Sequence, residues 1–273
     1  MKYGFVFPYG DARAAAELAY EAEQAGWDGF FVWEPVWGID AWVLLTAAAM
    51  RTKCIKLGTL LTPLSRMRPW KLASETAAVD NLSDGRLILS VGLGAVDTGF
   101  ELFGEVTDRK TRSELLDEGL DILTGLWHGQ PFAYQGQHYQ IEPCEFLPPP
   151  PPVQQPRIPI WVVGAWPRPK SMRRAMQHDG LLPNVMDATG HIKMTPAHIA
   201  EMKTYIVANR PQTTPFDIIV EGKTPGDNFD EAVSIVAPWV EAGATWWIEA
   251  LWDLMEEPQK VRQRLQLGPP GRN

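Results

Sequence analysis

The chain has 273 residues, 45% of them hydrophobic, and carries 25 Lys and Arg against 33 Asp and Glu, for a formal net charge of -8. That length suits one large α/β barrel or two ordinary domains, and the apolar share is enough for a sizeable core. The acidic balance argues against nucleic acid as a partner, because a phosphate backbone calls for a basic surface.

Residues 3–8, YGFVFP, form the first predicted strand, and Asp11 caps a helix with Ala15, Leu18, Ala19, Ala22 and Ala25 on its apolar face, stopped by Gly26. A second strand is predicted at 29–33 (GFFVW), a short helix at 40–50, and a third strand at 55–62 (IKLGTLLT). The three strand starts lie about 26 residues apart, the period of one βα unit. A helix over 68–81 leads through Ser83-Asp84-Gly85 to a fourth strand at 87–94, LILSVGLG. The third and fourth runs are continuously apolar rather than alternating, which fits strands covered on both faces in a parallel sheet.

The longest interval between strands follows Gly94. Thr111 and Glu114 make a capping-box pattern before a helix ending near Trp127, and a loop then closes on the proline run 148–152. This is an ordered excursion between strands four and five, because βα units resume beyond it. Strands five to eight are predicted at 158–163, 180–183, 216–221 and 244–250. Helices start at Thr195-Pro196 and at Asn228, and a last one covers 258–265. Eight βα units predict a TIM barrel, one domain over 1–273. The alternative is an open doubly wound sheet, but no GxGxxG loop follows strand one.

A barrel carries its site at the C-terminal ends of its strands. Those ends supply Trp33, Glu34 and Trp37, Leu60 to Thr62, Gly92 to Gly94, Gly164 to Trp166, Asn184, Glu221, and Trp252. The mouth is thus aromatic and apolar with few polar groups, as in a pocket for a flat organic cofactor. The five histidines form no metal-binding motif, and the two cysteines, Cys54 and Cys144, have no ligand spacing, so no metal is expected. After strand five, GAWPRPKSMRR offers Gly164, the cations Arg168, Lys170, Arg173 and Arg174, and a helix start near Ser171, together an anion site suited to a phosphate. The plain alternative for Arg173 and Arg174 is a solvated helix face. Glu34 in an aromatic pocket would have a raised pKa and act as general acid or base; the alternative is a structural ion pair. For Trp33, Trp37 and Trp166 the alternative is packing, and Glu221 and Glu249 serve equally well as groups closing the mouth through salt bridges.

The segments AEQAGWDGFFVWE, RTKCIKLGTLLTPLSRMRPWKLASETAAVDNLSDGRLILSVGLG, ELLDEGLDILTGLW and PRIPIWVVGAW, in this order, resemble the bacterial luciferase-like, flavin-dependent oxidoreductases (the luciferase-like monooxygenases). The resemblance runs from Met1 to about Pro183, with VEAGATWWIE similar to the family's final strand. It implies a TIM barrel holding FMN or, alternatively, the deazaflavin coenzyme F-420. It also implies that Thr59 or Leu60 lies at a bulge behind the flavin ring, often with a non-prolyl cis peptide, that Gly92, Leu93 and Gly94 pass the flavin and its tail, and that Gly164, Ala165 and Trp166 lie at the phosphate. The stretch from Gly94 to Gly104 resembles the family's mobile approach to the site. Many members have a histidine after the acid on strand two; Pro35 stands there in this chain, which leaves Glu34 as the proton-transfer candidate. An insertion common in the family is reduced around 187–195.

The expected activity is that of a flavin-dependent monooxygenase acting with reduced FMN and oxygen on a small organic substrate. The alternatives are F-420-dependent hydride transfer and a ligand-binding barrel without turnover. Expected partners are that substrate, a separate flavin reductase, and further copies in a homodimer or larger homo-oligomer, with no nucleic acid and no membrane. With no signal-like h-region and no spanning run, the expected location is the cytoplasm.

Overall fold

The computed structural model describes residues 1–146, 149–187, 190–191 and 193–270. Its elements, in chain order, are β1 (Lys2–Phe7), α1 (Ala12–Gln24), β2 (Gly29–Val32), α2 (Ala41–Arg51), β3 (Lys56–Thr59), α3 (Pro69–Leu82), β4 (Leu87–Val91), α4 (Arg109–His128), β5 (Phe132–Gln135), β6 (Gln140–Cys144), β7 (Ile160–Trp166), α5 (Pro169–Met176), β8 (Gly180–Asp187), β9 (Gly190–His191), α6 (Pro196–Asn209), β10 (Asp217–Gly222), α7 (Phe229–Ala242), β11 (Trp246–Glu249) and α8 (Pro258–Gln266). Strands pair in the order β10-β11-β1-β2-β3-β4-β7-β8, and β8 pairs again with β10, so the parallel sheet closes on itself. Each of these eight strands is followed by one helix, α1 to α8. The predicted (β/α)8 TIM barrel is therefore observed.

Alternation along the strands separates two cores. Val6, Phe31, Ile88, Trp161, Leu182, Ile219 and Trp246 point inward and fill the barrel, while Phe5, Phe30, Leu57, Leu89, Ile160 and Val220 point outward beneath the helices. Inside, Phe31 stacks on Trp161 at 5.4 Å and meets Trp246 edge-on at 5.8 Å. Three large rings fit one layer because Gly4, Gly29 and Gly58 leave their Cβ space to the Phe31 ring. Trp161 and Trp246 thus plug the barrel below the mouth rather than line a ligand pocket.

The helix starts expected at Asp11, Thr195 and Asn228 are capped as predicted, with Asp11 accepting from the Ala14 amide at 2.8 Å. The start of α4 differs. Asp108 accepts from the Thr111 amide at 2.7 Å, so the cap lies three residues before Thr111 and the helix begins at Arg109. Helix α5 begins at Pro169, two residues before Ser171, because proline suits a first turn.

The third strand ends at Thr59, short of the expected Thr62. The Leu60–Leu61 peptide is cis, and Thr62 rejoins the sheet through a bridge to Val91. Between these points the Thr59 hydroxyl takes over the ladder, donating to the Ser90 carbonyl at 3.1 Å and accepting from its amide at 3.2 Å.

The excursion after α4 contains an antiparallel hairpin, β5–β6, where only a loop was expected. Asn81 Nδ2 donates to the Pro151 carbonyl at 2.8 Å, tying part of the proline run to α3; Pro148 lies outside the described residues. So does part of the 187–195 segment, at 188, 189 and 192, along with the end of the expected domain at 271–273.

Among the described residues, no helix is long and apolar enough to cross a membrane, and no cluster of three His, Cys, Asp or Glu could hold a metal ion. Both cysteines are free.

Candidate active site

At the C-terminal ends of the strands opens a cavity of about 800 Å³. Leu60, Leu61, Val163 and Ala165 give it an apolar floor and wall, Trp33, Glu34, Pro35 and Trp252 line the β2–β11 side, and Arg109, Arg112, Ser171 and Arg174 line the α4–α5 side. Leu93 to Thr98 and Phe100 border it as a further wall.

Trp33 is held by its indole N–H, which donates to the Pro8 carbonyl at 2.6 Å. The next residue, Glu34, is half-buried, and its Oε2 is enclosed without a hydrogen-bond partner. Burial pushes the carboxyl up to about 7, while the nearby Thr62 hydroxyl and Arg66 guanidinium pull the other way without offsetting it. Arg66 is itself occupied by the Pro35 carbonyl, to which Nη2 donates at 2.5 Å. Among the described residues Glu34 therefore makes no direct ion pair. Trp37 takes no part, since it is 81% exposed.

Gly92 is buried against Leu61 and Val163 of this lining. A Cβ there would stand 2.9 Å from Val163 and 3.1 Å from Leu61, so that these two side chains of the lining would have to shift. Gly94 has φ +74°, and its Cβ would meet Pro63 and Phe100 at 2.8 Å. Arg112 Nη1 fixes this segment by donating to the Leu93 and Gly94 carbonyls at 2.9 and 3.0 Å.

Strand β7 runs to Trp166, three residues beyond its predicted end, and its alternation sorts the residues expected at the phosphate. Ala165 faces the mouth. Gly164 faces outward: a Cβ there would lie 2.2 Å from Leu181 and 3.1 Å from the Met172 sulfur. The Trp166 side chain also points outward, its Nε1 donating to Glu201 at 3.2 Å and its ring packing edge-on against Tyr205. Gly164 thus leaves room for the packing of Leu181 and Met172, and the Trp166 side chain packs outside the mouth. Gly164→Ala is expected to lower stability by about 1–3 kcal/mol through overpacking, read as a fall in thermal midpoint. An unchanged midpoint would contradict this placement.

The basic cluster divides in the same way. Arg174 is buried and committed to α4, paired with Asp117 and donating to Ser113. Arg168 is exposed at the cap of α5, away from the lining of the cavity. Ser171 Oγ accepts from the Ala165 amide at 2.9 Å, at the first turn of α5 and at the cavity edge. Arg109 reaches the same cavity with, among the described residues, only the Met186 sulfur, at 3.5 Å, as a hydrogen-bond partner. Arg109 and Arg112 were missed from sequence, although their three-residue spacing places both on one face of the α4 N-terminus.

Of the candidates named from sequence, Trp33, Glu34, Leu60, Leu93, Gly94 and Ala165 line the cavity together. Gly92 is buried against Leu61 and Val163 of the lining, the side chains of Thr59, Trp166 and Arg168 lie elsewhere, and Gly164 faces outward.

A family model described as luciferase-like monooxygenase matches residues 3–264. A F420-dependent glucose-6-phosphate dehydrogenase from Amycolatopsis mediterranei is 30% identical over 165 residues, covering 57% of this chain and 48% of that one. The oxygenase component of a flavin-dependent trigonelline monooxygenase from Acinetobacter baylyi is 29% identical over 153 residues, 56% of this chain and 38% of that one. The match thus spans less than half the length of these two relatives. Among solved structures, the oxygenating constituent of 3,6-diketocamphane monooxygenase from Pseudomonas putida, in complex with FMN, superposes with a TM-score of 0.74 at 18% identity, over 98% of this chain and 96% of that one.

Proposed function

We propose, because this chain belongs to the luciferase-like monooxygenase family, that it is a flavin-dependent oxidoreductase acting with reduced FMN and dioxygen on a small organic substrate. The observation that carries this is the shape and polarity of the mouth: about 800 Å³, with an apolar floor of Leu60, Leu61, Val163 and Ala165 and at one edge a cation, Arg109, that has no ion-pair partner among the described residues. Small-molecule sites typically span about 300–1,000 Å³ with a few convergent polar groups, and the residues present fit a flat ring system with an anionic tail.

In this reading Leu60, Leu61, Gly92, Val163 and Ala165 bed the ring and exclude water. Arg109, Ser171 Oγ and the first turn of α5 hold the phosphate. Leu93 and Gly94, fixed by Arg112, border the cofactor, and Trp33 bounds the substrate space. Glu34, poised near neutrality, gives or takes a proton at the substrate atom facing it. Reduced FMN, when bound, supplies the two electrons with which dioxygen is split between substrate and water.

Hydride transfer with coenzyme F-420 is the second reading, favoured by the 30% identity to a F420-dependent dehydrogenase. Supply of reduced FMN by a separate reductase follows the first reading, since one relative is an oxygenase component. Assembly as a homodimer or larger homo-oligomer, and a cytoplasmic location, belong to the same proposal.

The test is oxygen uptake with photoreduced FMN across a panel of organic substrates. Substrate-dependent uptake coupled to oxygenated product supports the first reading. Substrate-dependent reduction of F-420 with no oxygen requirement supports the second, and no turnover with either would leave a ligand-binding barrel. Arg109→Ala is expected to weaken FMN binding by about 1–3 kcal/mol, the worth of one charge-assisted hydrogen bond, and Arg168→Ala by less. Flavin fluorescence titration reads both, and an Arg168 effect exceeding that of Arg109 would move the phosphate.

A further inference from the structure

The mouth is electrically divided. Its cations, Arg109, Arg112 and Arg174, come from α4 and α5, which follow β4 and β7. Across the barrel lie β10, β11, β1 and β2, and this side carries two acids, Glu34 and Glu221. Glu221 stands two residues after the inward-pointing Ile219, so it is the next inward residue of β10, at the open end of the barrel. The residue is exposed at this open end; its Oε2 accepts from Trp252 Nε1 at 3.1 Å, and among the described residues Oε1 accepts no hydrogen bond. The nearby cation Lys223 is engaged by Asp253 at the rim and does not neutralise it. Trp252 in turn meets Trp33 at 6.2 Å with the ring planes at 89°, so the two indoles form a right-angled corner beside the carboxylate.

We propose that this corner, Glu221 with Trp252 and Trp33, binds a positively charged nitrogen, so that the substrates of this barrel are organic cations. A neutral donor would satisfy Oε1 but leave the charge uncompensated among protein groups. A cationic nitrogen, whether or not it carries an N–H, cancels the charge and is drawn to the indole faces. The surrounding protein raises the Glu221 pKa through desolvation, against the Trp252 hydrogen bond, although the side chain itself opens to solvent. The division of charge also sends the two ligands to opposite walls, an anionic cofactor tail to the arginines and a cationic substrate to the acids. The word substrate rests on the function proposed above; the cation site itself does not.

The test is calorimetric titration of the purified chain with phenyltrimethylammonium and with its uncharged isostere, tert-butylbenzene, with and without FMN. Glu221→Gln keeps the size and the acceptor for Trp252 but removes the charge. It is expected to weaken the cation by about 10-fold or more while changing the isostere less than about 2-fold. Glu221→Asp, which retains the charge, should keep part of the preference. Parallel changes for both ligands in Glu221→Gln, or no binding of the cation to the parent chain, would overturn the proposal. Flavin fluorescence in the same samples reads FMN binding separately, so failure of the cofactor reading is distinguished from failure of the cation site. Circular dichroism confirms that each variant is folded.

Discussion

Replacing Glu34 by glutamine is expected to slow turnover by roughly 100-fold or more, the usual contribution of a positioned acid or base. Size and shape are nearly kept, so the fold and FMN affinity should persist. The pH–rate profile should lose the limb with its midpoint at about 7, where burial holds the Glu34 carboxyl.

Stability should move the opposite way. The folded state binds the Glu34 proton more tightly than the unfolded chain, whose carboxyl titrates at its ordinary 4.5. Below pH 4.5 both states are protonated and the parent and variant should be alike. As pH rises toward about 7 the unfolded state releases its proton first, and the parent loses up to about 3 kcal/mol relative to the neutral glutamine. Thermal melts across this range therefore predict a variant that is equal at low pH and more stable above neutrality. A variant with full activity and no pH-dependent gain would make Glu34 a bystander; one that loses stability at all pH values would make it a structural group.

The largest loss of stability is expected from Glu249→Ala. This carboxylate is fully buried beneath the helices, where it accepts from the Thr224 amide at 2.7 Å, the Thr224 hydroxyl at 2.8 Å, and Trp247 Nε1 and Arg264 Nη2 at 3.3 Å. Arg264, also buried, ties α8 to the barrel by donating to the Thr224 and Gly268 carbonyls. Removing the acid strands this cation, at a cost of about 3–5 kcal/mol. Urea unfolding at neutral pH should show the midpoint fall with little change in slope. The pair Glu249→Leu with Arg264→Met should recover much of the loss, because a buried ion pair replaced whole is far less costly than one broken. A small effect of Glu249→Ala alone would mean that water reaches this cluster.

The barrel was legible because its strands are continuous apolar runs separated by amphipathic helices, a pattern set by burial on both faces. The β5–β6 hairpin was not, since its strands are short and only half covered: Phe132 to Gln135 alternates between half-buried and exposed residues with no apolar run. In the site, the sequence identified which strand ends matter but not the direction of each side chain. Ending the fifth strand at Val163 treats Gly164, Ala165 and Trp166 as one loop facing the ligand. The strand continues through all three, and the pleat turns only Ala165 to the mouth. The same alternation, counted from Ile219, places Glu221 inside, whereas Glu249 falls on the outer face, where its salt bridge to Arg264 ties α8 to the barrel instead of closing the mouth. Arg109 remained hidden because a charged residue at a helix start resembles any solvated first turn; only the closed barrel brings it to the cavity.

The central claim is that the mouth binds a flavin against its apolar floor. Titration of the protein into FMN and, in parallel, into F-420, following the fluorescence of each, tests it most directly. Saturable quenching of FMN by the parent chain, abolished in Gly92→Leu, whose side chain would displace Leu61 and Val163 of the lining, is the predicted result. Quenching of F-420 alone would replace the cofactor, and FMN quenching that is identical in parent and Gly92→Leu would contradict the placement of the ring.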